Sequence, residues 1–162
     1  GATFTVRLPV LKNNLSAMPQ EGNSTASIAK KTTGVLEKLQ ILVVDDEPDT
    51  RKFLTLLLES HNAKVQAIES VAAAIYYLDD TTPDLILSDL GMPEQDGYEL
   101  IRYVRSLSSQ RGKNIPVIAL TAYATASTEQ QVLKAGFQKH LTKPTDCDKL
   151  ISAIVSLVGN QK

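Results

Sequence analysis

The sequence predicts an α/β fold, a doubly wound parallel sheet of five strand–helix pairs, for which the spatial order 2-1-3-4-5 would bring the polar ends of four strands together. Three observations lead there. Short apolar runs recur from residue 39 to residue 160, nearly all ending in polar or acidic residues. Segments with a helical apolar period separate them. Runs such as "ILVV" (41–44) and "VIAL" (117–120) are apolar at consecutive positions, as strands covered on both faces require. Strands that alternate with helices pair in parallel, with helices on both sides of the sheet.

The elements follow in order. The first strand, 41–44, runs into Asp45 and Asp46. The next segment, "EPDTRKFLTLLLESHN", has Pro48 near its start and sets Phe53, Leu54, Leu57 and Leu58 on one helical face. The second strand, "KVQAI" (64–68), is the weakest. In "SVAAAIYYLDD", Ser70 is placed to cap a helix, and the Tyr76-Tyr77 pair suits an amphipathic face with one ring exposed. The third apolar run, 85–87, leads to Asp89. "DGYELIRYVRSL" gathers Tyr98, Ile101, Val104 and, less strictly, Leu107. The fourth run, 117–120, ends in Thr121. "STEQQVLKAG" carries a Ser127 cap, Gln130 three residues on, and Gly136 as a stop. The fifth, around 137–142, ends in Lys143-Pro144, and "DKLISAIVSLVGN" supplies the last helix through Leu150, Ile151, Ile154, Val155 and Val158.

Composition narrows the function classes. A hydrophobic content of 43%, a charged content of 22% and a net charge of -1 are those of an ordinary globular chain. They give no global field for nucleic-acid or membrane binding. The single cysteine, Cys147, forms no internal disulfide, and its expected role is a plain helix-start residue. With no apolar run of the ~18 residues that span a bilayer, this points to the cytoplasm. No Walker A loop or GxGxxG fingerprint occurs, which argues against nucleotide binding by this unit. Residues 1–11, "GATFTVRLPVL", alternate with period 2 and read as a half-buried strand ended by Pro9. Residues 12–38 read as a linker, rich in Asn, Ser, Thr, Ala and Lys up to about 33.

In open α/β sheets function collects at the carboxyl ends of the strands. Every strand but the second delivers a polar group there: Asp45 and Asp46, Asp89, Thr121, and Lys143. Two adjacent carboxylates repel by roughly 4 kcal/mol at an effective dielectric of 20. A divalent cation offsets that repulsion, and Mg²⁺ takes oxygen ligands of this kind. A carboxylate can also be a nucleophile that forms an aspartyl-phosphate, with Lys143 and Thr121 supplying charge and a hydrogen bond to phosphoryl oxygens.

The segments "LVVDDEPDTR", "PDLILSDLGMPEQDGYEL", "IPVIALTAYA" and "GFQKHLTKP" together resemble the receiver domain of two-component response regulators, a flavodoxin-like fold, over about residues 39–160. The resemblance implies Asp89 as phosphoryl acceptor from the phosphohistidine domain of a histidine kinase, in cis or in trans, or from a phosphotransfer protein. It implies Mg²⁺, with Mn²⁺ as an alternative, held by Asp46 directly, by Asp45 through water or weakly, by Asp89 and by the backbone carbonyl of Gly91. Thr121 and Lys143 would bind the phosphoryl group, and Pro144 would follow a cis peptide bond. Gly97 would serve a tight turn. Such a domain is a switch that phosphorylates itself rather than an enzyme with turnover.

One residue departs from the pattern. Where many receivers carry Tyr or Phe three residues before the lysine, a ring that moves inward as the threonine shifts, this chain has His140. Histidine packs as a ring and also titrates near pH 6.5. Residues 1–11 separately resemble the last strand of a sensor histidine kinase ATPase domain. Kinase tail, linker and receiver make the layout of a hybrid histidine kinase, any membrane anchor belonging to the parent kinase. A flexible linker of this length spans roughly 25–30 Å. Two other classes compete. Phosphatases of the haloacid-dehalogenase type need Asp-x-Asp followed by Thr or Val, which "DDEPD" does not match. A pseudo-receiver, never phosphorylated, would act as an interaction module.

Overall fold

The computed structural model describes residues 36–108 and 112–159. The expected strand at 1–11 and most of the expected linker lie outside the described residues. Among the described residues the chain runs β1 (Gln40–Val44), α1 (Pro48–Ser60), β2 (Lys64–Ile68), α2 (Val71–Asp80), β3 (Leu85–Asp89), α3 (Gly97–Ser106), β4 (Val117–Thr121), α4 (Ala126–Ala135), β5 (Lys139–Thr142) and α5 (Cys147–Gly159). The strands form one sheet in the order β2-β1-β3-β4-β5. All four pairings are parallel.

The period of two along each strand decides which helices it meets. Leu42, Val44, Ile86, Val117 and Ala119 face a core that includes Val71, Leu78, Leu100, Ile101, Val104, Val132 and Phe137, from α2, α3 and α4 and the turn after α4. Ile41, Val43, Leu85, Leu87, Ile118 and Leu120 face Leu54, Leu58, Leu150, Ile151 and Ile154 from α1 and α5. The continuous apolar runs are therefore two alternating sets, one for each layer of helices.

Local signals close the elements. Ser70 accepts the Ala73 N–H at the start of α2, and Gly136, at φ 111°, ends α4 in the left-handed conformation. The cap of α4 is Thr125, whose hydroxyl accepts the Thr128 N–H, so Ser127 lies inside the helix rather than before it. Phe53 shares a helix with Leu54 and Leu58 but is 45% exposed, because residue 53 lies off the stripe that those two bury. Tyr76 is exposed and Tyr77 packs against the core, as the paired tyrosines suggest.

Arg105, at the C-terminal end of α3, binds only neutral oxygens among the described residues. Its guanidinium donates to the carbonyls of Gly136, Lys113 and Ile115 and to Gln138 Oε1. Burial pulls it below the ordinary arginine value. Gln138 Oε1 also accepts the Val117 N–H. The end of α3, the approach to β4 and the start of β5 are thus tied at one point.

Leu36 has a larger role than its polar surroundings in the sequence suggest. It is fully buried within the α1/α5 core, at the end of the sheet opposite the strand carboxyl ends. Leu39 N–H closes a turn onto its carbonyl at 3.1 Å. We expect Leu36→Ala to destabilise the domain by about 2–4 kcal/mol, the range for a buried leucine truncated to alanine. Urea unfolding measures it, and a loss under about 0.5 kcal/mol, ordinary for surface positions, would show that Leu36 is not part of the core.

Candidate functional site

The sheet order sets β1 between β2 and β3, and β4 between β3 and β5, so the ends of β1, β3, β4 and β5 converge. Asp45 follows the last residue of β1, Asp89 is the last of β3, Thr121 the last of β4, and Lys143 follows β5. Asp45, Asp89 and Thr121 are buried; Asp46 is exposed. Backbone bonds hold the strand ends in step: Asp45 N–H to Ile68 carbonyl, Leu90 N–H to Leu120 carbonyl, Lys143 N–H to Thr121 carbonyl at 2.7 Å.

Lys143 Nζ lies 2.6 Å from Asp45 Oδ2 and 3.0 Å from Asp89 Oδ2. Asp45 Oδ1 accepts the Glu47 N–H at 2.9 Å, and Asp89 Oδ1 accepts the Gly91 N–H at 3.2 Å. Each carboxylate therefore has one oxygen on the ammonium and one on a backbone amide. Burial pushes the Asp45 carboxyl up, the neighbouring Asp89 adding to it, against the Lys143 and Glu47 hydrogen bonds. For Lys143, burial works against the charge, but the hydrogen bonds to Asp45 and Asp89 outweigh it and hold the ammonium above its ordinary value. Thr121 Oγ1 accepts the Tyr123 N–H at 3.1 Å.

Carboxylate oxygens of Asp45, Asp46 and Asp89 lie within 4.8 Å of one another. This all-oxygen set suits a hard divalent cation. Lys143-Pro144 is the one cis peptide among the described residues, as expected. The chain matches the family model of the response regulator receiver domain over residues 41–155. It belongs to this family.

Its relatives place the receiver in two settings. An uncharacterized 14.6 kDa protein of Leptolyngbya boryana is 44% identical over 119 residues, covering 74% of this chain and 89% of that one. Hybrid signal transduction histidine kinase D of Dictyostelium discoideum is 35% identical over 136 residues, covering 80% of this chain but 9% of the kinase. Among solved structures, the receiver domain of a sensor histidine kinase from Pseudomonas aeruginosa, described with a magnesium ion coordinated in its active site cleft, superposes with a TM-score of 0.68 at 29% identity. It covers 75% of this chain and 98% of that domain.

Three contributors to the receiver site escaped the sequence reading. Arg51 donates to the carbonyls of Asp45 and Asp46 at 2.7 and 2.9 Å, fixing the backbone of the acidic pair. Its signal is an arginine one helical turn inside α1. Buried Ser88 donates to the Asp89 carbonyl at 3.0 Å. Gly97 opens α3 rather than a turn of its own, and a Cβ there would collide with the carbonyl oxygen of Asp89. The start of α3 therefore reaches the backbone of β3 only because residue 97 has no side chain.

Lys143 is the partner of two buried carboxylates, and removing it strands both. In chelator, Lys143→Ala should cost about 3 kcal/mol, the lower end for a broken buried pair, since this lysine is 20% exposed. Denaturant titration with and without a divalent cation checks this: the loss should shrink when the cation is added. An equal loss in both conditions would remove the carboxylates as its cause.

Proposed function

We propose that this receiver accepts a phosphoryl group on Asp89 from a phosphohistidine. A carboxylate oxygen of Asp89 bonds to phosphorus as the phosphorus–nitrogen bond of phosphohistidine breaks. The single observation behind this is the Lys143 ammonium, in contact with Asp89 and Asp45 beside the Thr121 hydroxyl. Lys143 would pass from Asp89 to the added phosphoryl oxygens, and Thr121 would exchange the Tyr123 amide for them.

The acidic trio fits Mg²⁺, with Mn²⁺ as an alternative. Asp46, Asp89 and the Gly91 carbonyl would hold it directly. Asp45, fully buried where Asp46 is exposed, would reach it through water. When bound, the cation supplies positive charge to the transferring oxygens. The magnesium in the Pseudomonas aeruginosa neighbour supports this assignment.

The donor would dock beside the site. A groove of about 530 Å³ runs from Lys143 and Pro144 to the exposed Phe53, with Glu47 and Asp49 on its rim. A helix carrying the phosphohistidine fits it, since the apolar floor and the acceptor's lysine are continuous. The donor belongs to a histidine kinase or a phosphotransfer protein. Hybrid kinases among the relatives support a parent of that kind, with residues 1–11 as the end of its ATPase domain and 12–38 as the tether. The reaction then belongs to the cytoplasm. Among the described residues no helix is long and apolar enough to cross a membrane.

Incubation with Mg²⁺ and acetyl phosphate should add one phosphoryl mass to the wild type and none to Asp89→Asn. An unmodified wild type would leave an interaction module that is never phosphorylated. A second outcome follows from Asp45. The cation needs its carboxylate ionised, and burial raises its proton affinity. Protons therefore compete, and Mg²⁺ affinity should fall as the pH is lowered, measured by calorimetry. A constant affinity would take Asp45 out of the metal's surroundings.

A further inference from the structure

Three acidic residues follow β1 in a row, and the fold aims two of their carboxylates through partners. Asp45 is held by Lys143 and by the Glu47 N–H, and the Glu47 carboxylate accepts the Thr50 hydroxyl. Asp46 is the exception. Among the described residues its carboxylate has no hydrogen-bond or ion-pair partner. Its direction is therefore set by its own backbone. That backbone has left β1, which ends at Val44, and has not entered α1, which starts at Pro48. Neither the sheet ladder nor the helix ladder fixes it.

Arg51 supplies what the ladders do not. Its Nη1 donates to the Asp45 carbonyl at 2.7 Å and to the Asp46 carbonyl at 2.9 Å. Among the described residues it is the one donor to either carbonyl. The arginine is itself anchored. Its backbone N–H donates to the Glu47 carbonyl at 3.1 Å, and its side chain is 19% exposed. Its Nη2 lies 3.8 Å from the carboxylate of Glu69, the residue after β2. The second strand, which delivers no group to the acidic cluster, thus reaches it at one remove. Glu69 is exposed, and a surface pair at that distance contributes little. The two carbonyl bonds are the hold that matters.

We propose that Arg51 is a positioning residue for the divalent cation. By holding two successive carbonyls with one guanidinium nitrogen, it fixes the backbone at 45–46 and so aims the Asp46 carboxylate into the cluster it forms with Asp45 and Asp89. This rests on the metal reading given above. A guanidinium also has an effect of opposite sign, because its permanent positive charge repels a cation. As a charge alone, its removal would tighten Mg²⁺ binding. As a positioning residue, its removal loosens it.

Calorimetric titration of the full chain with Mg²⁺ decides between the two signs, comparing wild type, Arg51→Gln, Arg51→Lys and Glu69→Gln. Affinity should fall about tenfold in Arg51→Gln, the lower end of what partners behind metal ligands are worth, since the lost repulsion offsets part of the loss. Arg51→Lys keeps a donor and should fall between Arg51→Gln and wild type, while Glu69→Gln should stay near wild type. In chelator, with no cation to bind, hydrogen exchange at the Glu47 N–H should quicken in Arg51→Gln, and exchange at the Asp45 N–H, bonded to the Ile68 carbonyl, should not. In the acetyl phosphate reaction the half-saturating Mg²⁺ concentration should rise, and the yield at saturating Mg²⁺ should return to that of wild type.

Unchanged or tighter Mg²⁺ binding by Arg51→Gln would overturn the proposal, and so would a yield that stays low at saturating Mg²⁺. Should Arg51→Gln fail to fold, Arg51→Lys decides, and an affinity at or above that of wild type would overturn it. A wild type that binds no Mg²⁺ would overturn the metal reading itself, while exchange at Glu47 still decides whether Arg51 holds the acidic pair.

Discussion

Lys143 is the one cation among the described residues in ion-pair contact with Asp45 or Asp89, and it touches both. Remove that contact and the carboxyl end of the sheet holds two buried carboxylates at close range with nothing between them. Everything at this edge is arranged around that constraint. Glu47 and Gly91 amides take the carboxylate oxygens that Lys143 leaves, and Arg51 holds the carbonyls of the acidic pair. The Lys143 amide is itself bonded to the Thr121 carbonyl, so β4 and β5 present hydroxyl and ammonium in a fixed relation. The ammonium is the positive charge in contact with both aspartates.

The two acidic neighbours on β1 are not equivalent, and the asymmetry is structural. Asp45 is buried with both oxygens engaged, while Asp46 is exposed. A cation arriving from solvent meets Asp46 before Asp45. The order proposed above for these two neighbours thus comes from their exposure, not from sequence position.

The fold and the polar cluster were legible because both are written locally. Strand runs are apolar on consecutive positions, and the residue after each run marks a strand end; period 2 and period 3.6 then assign the faces. What escaped depends on partners far away in the chain. Leu36 sits in a polar tract, and only its neighbours on α1 and α5 make it core. Arg105 reads as a surface arginine until Gly136 and Gln138 arrive from the next strand–helix unit. Gly97 reads as a turn glycine, but its reason is the Asp89 carbonyl pressed against it. Thr125 and Ser127 are both good caps two residues apart, and the choice depends on how the chain leaves β4. Periodicity could not separate Phe53 from Leu54 because adjacent positions straddle the border of a buried stripe.

The two ends of the sheet are built for different ends. At the amino end, Leu36 and the turn onto Leu39 close the α1/α5 core with apolar contacts, and the Lys64 N–H bonds the Leu39 carbonyl. At the carboxyl end, the contacts are ionic and hydrogen-bonded. His140 lies on β5, on the face it shares with Thr121, and its Nε2 is buried without a hydrogen-bond partner.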